Sequence, residues 1–552
     1  MDFLAKYNFW KKHATHPTVV ESLRQMEGND EQIKNAFYGE LQFGTGGLRG
    51  VMMAGTDRLN VYTVFKATEG VARYMLAHNY TSCAITYDSR LNSELFSKTA
   101  AVTLAYHGIK VYITKECMPT PFLSFMVRDL QCDLGINLTA SHNPSEYNGY
   151  KVYDHKGCQM VDAGCKEIIG YISQVDPFER ELGNFDDYLN KTIFYIDDGV
   201  EQRYIDAVVA QGLDKVQDLK VVYTPLNGAG WRIVPKVLKT VGVKDLTIVP
   251  EQATPNGHFT TCPYPNPEKK EALQLAAQLL QQSGADIVLA TDPDSDRLGV
   301  AVNNDGEITI LGGNEVAVIL CDYVLMRLTQ QNKMPQNSVV VKTIVTTIMA
   351  NKIASKYGAQ VHDVLTGFKY IGDFIGKLED NGEKHRYVFG FEESCGYLKG
   401  TYVRDKDGVI ASMLVAQCAS YYKAQGKTLV DRLDELFEEF GTFYQDIVSY
   451  KFEGVTGAER KNQLLAELRK NPPTHLGDSP ITATCDFLTQ TQYALPKADV
   501  IRFNAQNGSQ LIVRPSGTEP LIKCYLTVQG DKEGNKIRFA EIKALTDRLF
   551  SK

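Results

Sequence analysis

Apolar residues gather in short runs between Ser82 and Phe389, and each run is followed by a stretch whose apolar positions recur at helical spacing. Three segments of the chain repeat one order. In the first, a run at 82–87 leads through a helical stretch at 93–107 to runs at 110–114 and 133–138. In the second, the runs lie at 219–223, 246–249 and 286–290, with helices over 231–241 and 268–282. The third places runs at 338–341, 360–364 and 386–389, with helices over 348–357 and 371–378. Strands buried on both faces lose their alternation and read as continuous apolar runs, so strands spaced by helices of roughly 10 to 15 residues predict βαβ units.

The C-terminal stretch breaks this order. A charged helix over 429–440 is followed by strands over 443–450, 500–504, 510–513 and 522–528, and by a closing helix over 536–550. The fold class is therefore read as α/β, with three similar domains built on mixed or parallel sheets and a smaller C-terminal α+β domain, around one central cleft. The expected limits are 1–205, 206–311, 312–440 and 441–552. A chain of 552 residues is too long for one core and accommodates this division.

The loops that close the three repeats carry the polar chemistry. They read Thr139-Ala140-Ser141-His142-Asn143-Pro144, Thr291-Asp292-Pro293-Asp294-Ser295-Asp296-Arg297 and Gly390-Phe391-Glu392-Glu393-Ser394. In open α/β sheets ligands bind beyond the carboxyl ends of the strands, so these loops are expected to face one shared cleft.

Composition narrows the class of function. Acidic residues number 66 and basic residues 59, and the formal net charge of −7 is small for this length. No basic stripe indicates a nucleic-acid partner. With 43% hydrophobic and 23% charged residues, the composition is that of a soluble globular protein. The first residues, with Asp2, Lys6, Lys11 and Lys12, lack the apolar core of a signal peptide, and no apolar run of about 18 residues predicts a membrane span. Eleven cysteines without a C-x-x-C pair read as reduced thiols in a cytoplasmic protein.

Each loop admits a bland and a chemical reading. Ser141 sits in a turn rich in Ser, Asn and Pro, and no G-x-S-x-G surrounds it, which argues against an α/β-hydrolase. Lys151 brings a cation back near that loop. Asp292, Asp294 and Asp296 gather like charges at alternate positions, which a hard cation such as magnesium explains. An EF-hand would need Gly at Arg297 and Glu at Asn303, so that reading fails. A phosphatase with Asp292 as nucleophile and a solvated acidic turn both stay open. Glu392 and Ser394 offer an acceptor and a hydroxyl suited to sugar hydroxyls. Arg404-Asp405-Lys406-Asp407-Gly408 reads by default as an exposed charged turn, or as an acid or base if its surroundings lower the Lys406 pKa. Arg514, Ser516, Gly517 and Thr518 fit a phosphate clamp or a hairpin turn. Gly44-Thr45-Gly46-Gly47-Leu48-Arg49-Gly50 lacks both the P-loop ending and the dinucleotide glycines, and presents Arg49 to an anion.

Taken in order, Thr-Ala-Ser-His-Asn-Pro at 139–144, Asp-Pro-Asp-Ser-Asp-Arg at 292–297, Gly-Phe-Glu-Glu-Ser at 390–394 and Arg-Pro-Ser-Gly-Thr at 514–518 resemble the α-D-phosphohexomutase superfamily. The early Gly-Thr-Gly-Gly-Leu-Arg-Gly is similar to the phosphoglucomutase branch that also contains phosphopentomutase-type enzymes, and the likeness spans nearly the whole chain. The resemblance implies Ser141 as a phosphoserine, with Asp292, Asp294 and Asp296 holding one Mg2+ per chain together with a phosphate oxygen on Ser141. Arg297, next to the trio, is carried as a possible addition to it. Arg49, Lys151 and Lys406 match positions that assist proton and phosphoryl transfer, and His142 adjoins the serine. Glu392 and Ser394 would grip sugar hydroxyls, Gly367 and Lys369 resemble a further substrate loop, and Arg514, Ser516, Gly517 and Thr518 would bind the distal phosphate. The implied activity is interconversion of glucose 1-phosphate and glucose 6-phosphate through a sugar 1,6-bisphosphate, with mannose and pentose phosphates as alternative substrates and a sugar-phosphate phosphatase as a distant alternative. The partners are small phosphosugars, with no nucleic acid or membrane, for a monomer or homodimer. Since an exposed phosphoserine would hydrolyse, the C-terminal domain is expected to swing closed through a hinge near 440–450.

Overall fold

The structure, a computed structural model, describes residues 2–44, 47–452, 457–490, 495–516 and 521–551. These residues form four sheets. The first orders six strands as Gly47–Val51, Tyr147–Asp154, Leu134–Leu138, Ser82–Tyr87, Lys110–Ile113 and Ile193–Tyr195. Leu134–Leu138 and Lys110–Ile113 run parallel to Ser82–Tyr87, as the βαβ pattern requires. Strands Lys220–Thr224, Asp245–Ile248 and Ile287–Thr291 make the parallel part of the second sheet, and Val339–Thr343, Gln360–Val364 and Tyr387–Glu392 that of the third.

In each repeat the last parallel strand turns back on itself. Leu134–Leu138 returns as Tyr147–Asp154, Ile287–Thr291 as Leu298–Asn304, and Tyr387–Glu392 as Gly396–Leu398, each pair antiparallel. The motif loops are therefore turns gripped by a strand on both sides. The return strands escaped the sequence reading because their apolar runs are short or broken by glycine.

The fourth sheet is antiparallel throughout, in the order Thr442–Lys451, Leu521–Gly530, Gln510–Pro515, Ile501–Ala505, Ser479–Asp486 and His475–Leu476. The closing helix Lys532–Phe550 packs on it, as the sequence predicts, and a second helix, Gly457–Lys470, joins it in the core beneath the sheet.

The cores divide unequally. N-terminal helices Phe3–His13, Pro17–Gln25 and Asp30–Phe37 seal one side of the first unit through Trp10, Leu23 and Phe37. On its other side, Phe122 and Met126 of the helix Thr120–Asp129 enter a continuous core shared with Val221 and Ile233 of the second unit and Leu320, Val341 and Leu414 of the third. The C-terminal unit keeps a separate core of Phe503, Leu511, Leu526 and Ile542. It meets the third unit at a small apolar patch, where Ile344, Val345 and Leu365 pack with Phe487, Ile512 and Tyr525.

The expected hinge is narrower than its sequence range. Thr442–Lys451 pairs along its whole length with Leu521–Gly530, so only Gly441, with φ +90°, breaks regular structure after the helix Leu429–Phe440. No disulfide joins any of the eleven cysteines. Among the described residues no helix is long and apolar enough to cross a membrane.

Candidate active site

Ser141 lies in the turn after Leu134–Leu138 with φ +53°, a left-handed backbone that costs an L-residue roughly 1–2 kcal/mol. The surroundings hold it there. Its amide donates to Thr139 Oγ1 at 2.8 Å, and Thr139 Oγ1 donates to Asp88 Oδ2 at 2.6 Å. The guanidinium of Arg90, itself buried, donates to Pro144 O at 2.8 Å, to Tyr147 O at 3.0 Å, and to the carbonyls of Ser141 and Asn143. Gly149 on the return strand permits the fit, because a Cβ there would stand 2.3 Å from Thr139 O.

The Ser141 hydroxyl donates to Asp292 Oδ2 at 2.9 Å and lies 3.2 Å from His142 Nδ1. Burial and the neighbouring arginines 297 and 49 push the His142 pKa well below its ordinary value, so the ring is neutral. Asp292 begins the second turn, and its Oδ1 accepts the amides of Asp296 at 3.1 Å and Arg297 at 3.0 Å. Asp294 Oδ2 accepts Thr120 Oγ1 at 2.7 Å and Lys151 Nζ at 3.3 Å. Asp296 Oδ2 meets Lys406 Nζ at 2.7 Å, an ion pair without hydrogen-bond alignment.

Exposures of 0%, 0% and 1% for Asp292, Asp294 and Asp296 rule out a solvated acidic turn. One oxygen of each carboxylate lies within 4.8 Å of the others. Among the described residues, Asp294 Oδ1 and Asp296 Oδ1 have no hydrogen-bond partner. Buried carboxylate oxygens without donors are costly, and a hard, oxygen-seeking cation completes them. The residues present therefore fit a metal. Arg297 does not join them as a ligand: its guanidinium donates to Glu268 Oε1 at 2.7 Å and supplies positive charge behind the trio.

The 404–408 segment is not the exposed turn that its composition suggests. Arg404, Asp405 and Asp407 are buried between units, where Tyr153 of the first unit donates to Asp405 Oδ2 at 2.6 Å and Tyr204 to Asp407 Oδ2 at 2.8 Å. Nor is the Lys406 pKa lowered. Burial acts in that direction, but Asp296, Asp405 and Glu392 outweigh it and raise the pKa, so the ammonium stays charged. Glu392, at the end of Tyr387–Glu392, is pushed up to about 7 by burial, against the pull of Lys406. Gly396 lets the two pack, since a Cβ there would meet Lys406 Cδ at 2.6 Å and Glu392 Cγ at 2.9 Å.

Arg49 lies on Gly47–Val51 opposite Gly149 and donates to Asn143 Oδ1 at 3.2 Å. Protein surrounds it closely enough to lower its pKa through desolvation and Arg297, yet its side chain is solvent-exposed. A crowded but wet cation of this kind lines a cleft, and here solvent contact is the better guide to what a ligand could reach. Thr45 and Gly46 of the same loop lie outside the described residues.

Ser394 Oγ donates to Glu393 Oε1 at 3.4 Å, and Glu393 Oε2 accepts Thr343 Oγ1 at 3.1 Å and Thr346 Oγ1 at 3.2 Å. Gly367, with φ +116°, caps the helix Phe368–Asp380, which carries Lys369 with its ammonium 4.9 Å from the Tyr370 ring. Arg514 ends the strand Gln510–Pro515 half-exposed and bonds the hydroxyl of Tyr525, which also feels the charge of Glu393. Ser516 receives Lys461 Nζ on its carbonyl at 3.4 Å. Gly517 and Thr518 lie outside the described residues.

The fold thus brings Ser141, His142, Arg49, Lys151, the aspartates, Lys406 and Glu392 into one cluster. Arg514 is linked to it through Tyr525, which feels the charges of Glu393 and Glu392. Asp88, Arg90, Thr120 and Asn137 were missed from sequence. The first two follow the strand Ser82–Tyr87 at its carboxyl end, so the strand-end rule applied to every strand would have raised them.

Four family models match successive parts of the chain. They are described as phosphoglucomutase/phosphomannomutase α/β/α domains I, II and III, at 40–178, 202–306 and 312–440, and the C-terminal domain, at 454–544. A curated phosphoglucomutase of Staphylococcus haemolyticus is 36% identical over 512 residues, covering 90% of this chain and 92% of its own. One of Staphylococcus aureus is 34% identical over 536 residues, covering 94% and 95%. The fold is shared with a phosphoglucomutase/phosphomannomutase family protein of Burkholderia thailandensis, at TM-score 0.69 and 18% identity over 92% of this chain and 96% of that one. It is shared equally with the open form of parafusin from Paramecium, at TM-score 0.69 and 17% identity over 93% and 95%.

Proposed function

The chain belongs to the phosphoglucomutase/phosphomannomutase family, and on that premise we propose that it interconverts α-D-glucose 1-phosphate and glucose 6-phosphate with Ser141 as the phosphoryl carrier. The observation that carries this reading is the Ser141 hydroxyl on Asp292, inside a buried carboxylate trio whose Asp294 Oδ1 and Asp296 Oδ1 have no hydrogen-bond donor among the described residues. We place the domain limits at 1–205, 206–311, 312–440 and 441–552.

Phosphoryl transfer asks a protein chiefly for position and charge neutralisation. Asp292, Asp294 and Asp296 would hold Mg2+, which supplies positive charge to the phosphoryl oxygens when bound. The chain supplies the rest. Thr139 and Arg90 fix the Ser141 turn, while Lys151, Lys406, Arg49 and Arg297 surround the transferring group with cations. Phosphorylated Ser141 gives its phosphoryl group to the free hydroxyl of the sugar monophosphate. The resulting 1,6-bisphosphate reorients and returns its other phosphate to Ser141. Glu392, with a pKa near 7, accepts hydrogen bonds from sugar hydroxyls, together with Ser394. Arg514 and Ser516, with Gly517 and Thr518, receive the phosphate that does not react, and Gly367 and Lys369 flank the sugar. The chain acts as a monomer or homodimer, and cysteines that form no disulfide support a cytoplasmic setting.

The test is turnover of glucose, mannose, ribose and deoxyribose 1-phosphates with Mg2+ and the matching bisphosphate. Glucose 1-phosphate is expected to be the best substrate, and comparable pentose rates would overturn that preference. Ser141→Ala is expected to lose about 10⁴-fold or more of the turnover while remaining folded. A Ser141→Ala enzyme that released free phosphate would instead point to Asp292 as the nucleophile.

A further inference from the structure

Asp294 is held by a relay that starts in another domain. Thr86 Oγ1, on the strand Ser82–Tyr87, donates to Asn137 Oδ1 at 3.1 Å. Asn137 Nδ2, on Leu134–Leu138, donates to Thr120 Oγ1 at 2.7 Å. Thr120 Oγ1 then donates to Asp294 Oδ2 at 2.7 Å, and the Thr120 amide donates to the Asp294 carbonyl at 2.8 Å. Thr86, Asn137, Thr120 and Asp294 are all buried, with exposures of 0%, 1%, 0% and 0%.

The relay has a direction. A hydroxyl has one proton to give, and the Asn137 amide occupies the oxygen of Thr120 as acceptor, so that proton is committed to the carboxylate. Such charge-assisted bonds are roughly twice as strong as neutral ones. With Lys151 on the same oxygen, Asp294 Oδ2 is engaged and Oδ1 is left without a partner among the described residues. Thr120 sits at the start of the helix Thr120–Asp129 between Pro119 and Pro121, which restrict the backbone on either side.

We propose that Thr120 is a positioning residue that selects which oxygen of Asp294 faces the cation, and so lets the phosphoserine domain set the metal affinity of the neighbouring domain. The inference rests on the reading of the aspartate trio as a divalent-cation site. Partners that orient a metal ligand cost about 10- to 100-fold in affinity when removed.

The test is direct Mn2+ binding to the full-length, dephosphorylated protein, by titration calorimetry and by the EPR signal of free Mn2+. Thr120→Val keeps the shape and removes the hydroxyl, and is expected to weaken Mn2+ binding at least about 10-fold. Thr120→Ser restores the donor and is expected to bind within about threefold of the original chain, with Thr120→Cys, a weak donor, in between. Melting in EDTA reports separately whether each variant folds. Wild-type affinity in Thr120→Val, or a Thr120→Ser variant as weak as Thr120→Val, overturns the proposal. If Thr120→Val does not fold, wild-type affinity in Thr120→Cys overturns it. Absence of Mn2+ binding in the unaltered chain would instead overturn the metal-site reading, and the inference with it.

Discussion

In the first three units, the loops that surround Ser141 and Asp294 are buried, bonded from one domain to the next, and seated on a continuous core. The C-terminal unit has its own core and meets the third unit over a small apolar patch, and Arg514, Pro515 and Ser516 are half-exposed. The difference matches two tasks. Charge that must be placed to a fraction of an ångström before substrate arrives is fixed by buried hydrogen bonds formed once, during folding. Under the proposed function, a group that grips the far phosphate would have to admit and release a ligand, and a unit with its own core on a small interface suits that task.

Arg90→Ala tests the rigid side most severely. It leaves buried Asp88 uncompensated and frees the Ser141 turn, with an expected loss of about 3–5 kcal/mol in calorimetric stability together with activity. Arg90→Lys should not rescue it, because a point charge cannot serve several carbonyls at once. Phe487→Ala probes the other side. A cost of about 3 kcal/mol is expected to fall on the C-terminal unit, seen as faster hydrogen exchange there with the protection of the other three units unchanged. If exchange rose equally in all units, the two regions would not be separable.

Arg514→Ala is expected to raise the KM for glucose 1-phosphate about 10- to 100-fold while leaving the melting temperature in place, since it removes charge-assisted bonds to the ligand from a half-exposed position. The smallest effect should come from pH. Burial acts to raise the Glu379 pKa, but Arg128 of the first unit and Arg404 hold it down to about 2. A carboxyl whose folded value is depressed adds stability above its unfolded value of about 4.5, and that stability fades as pH falls toward 2. Glu379→Gln should therefore melt about 1–2 °C lower at pH 7 and match the original chain near pH 2.

Much of this was legible beforehand. The apolar runs at 82–87, 360–364 and 510–513 fall on the strands Ser82–Tyr87, Gln360–Val364 and Gln510–Pro515. Three Asp at alternate positions after a strand marked a candidate cation site, because like charges do not gather without a reason, and the buried trio they form could hold a metal. The exposed-turn reading of 404–408 failed because charge density normally tracks solvent, and here Asp405, Lys406 and Asp407 each have a partner from another unit while Arg404 is buried against Glu379. Arg90 follows the strand Ser82–Tyr87, but nothing local reveals that it will face the carbonyls of Ser141 and Pro144.

By itself the sequence determined the repeats, the separate character of the C-terminal unit, and the loops where chemistry gathers, because strand and helix periods and turn composition are local properties of a chain. Only the tertiary structure decided that Lys406 stays charged, that Glu392 titrates near neutrality, and which oxygen of Asp294 is left open. Those properties depend on desolvation, on donors brought from Thr120 and Lys151, and on the negative charge of Asp296 beside Lys406, and none of these exists until the units close on one another.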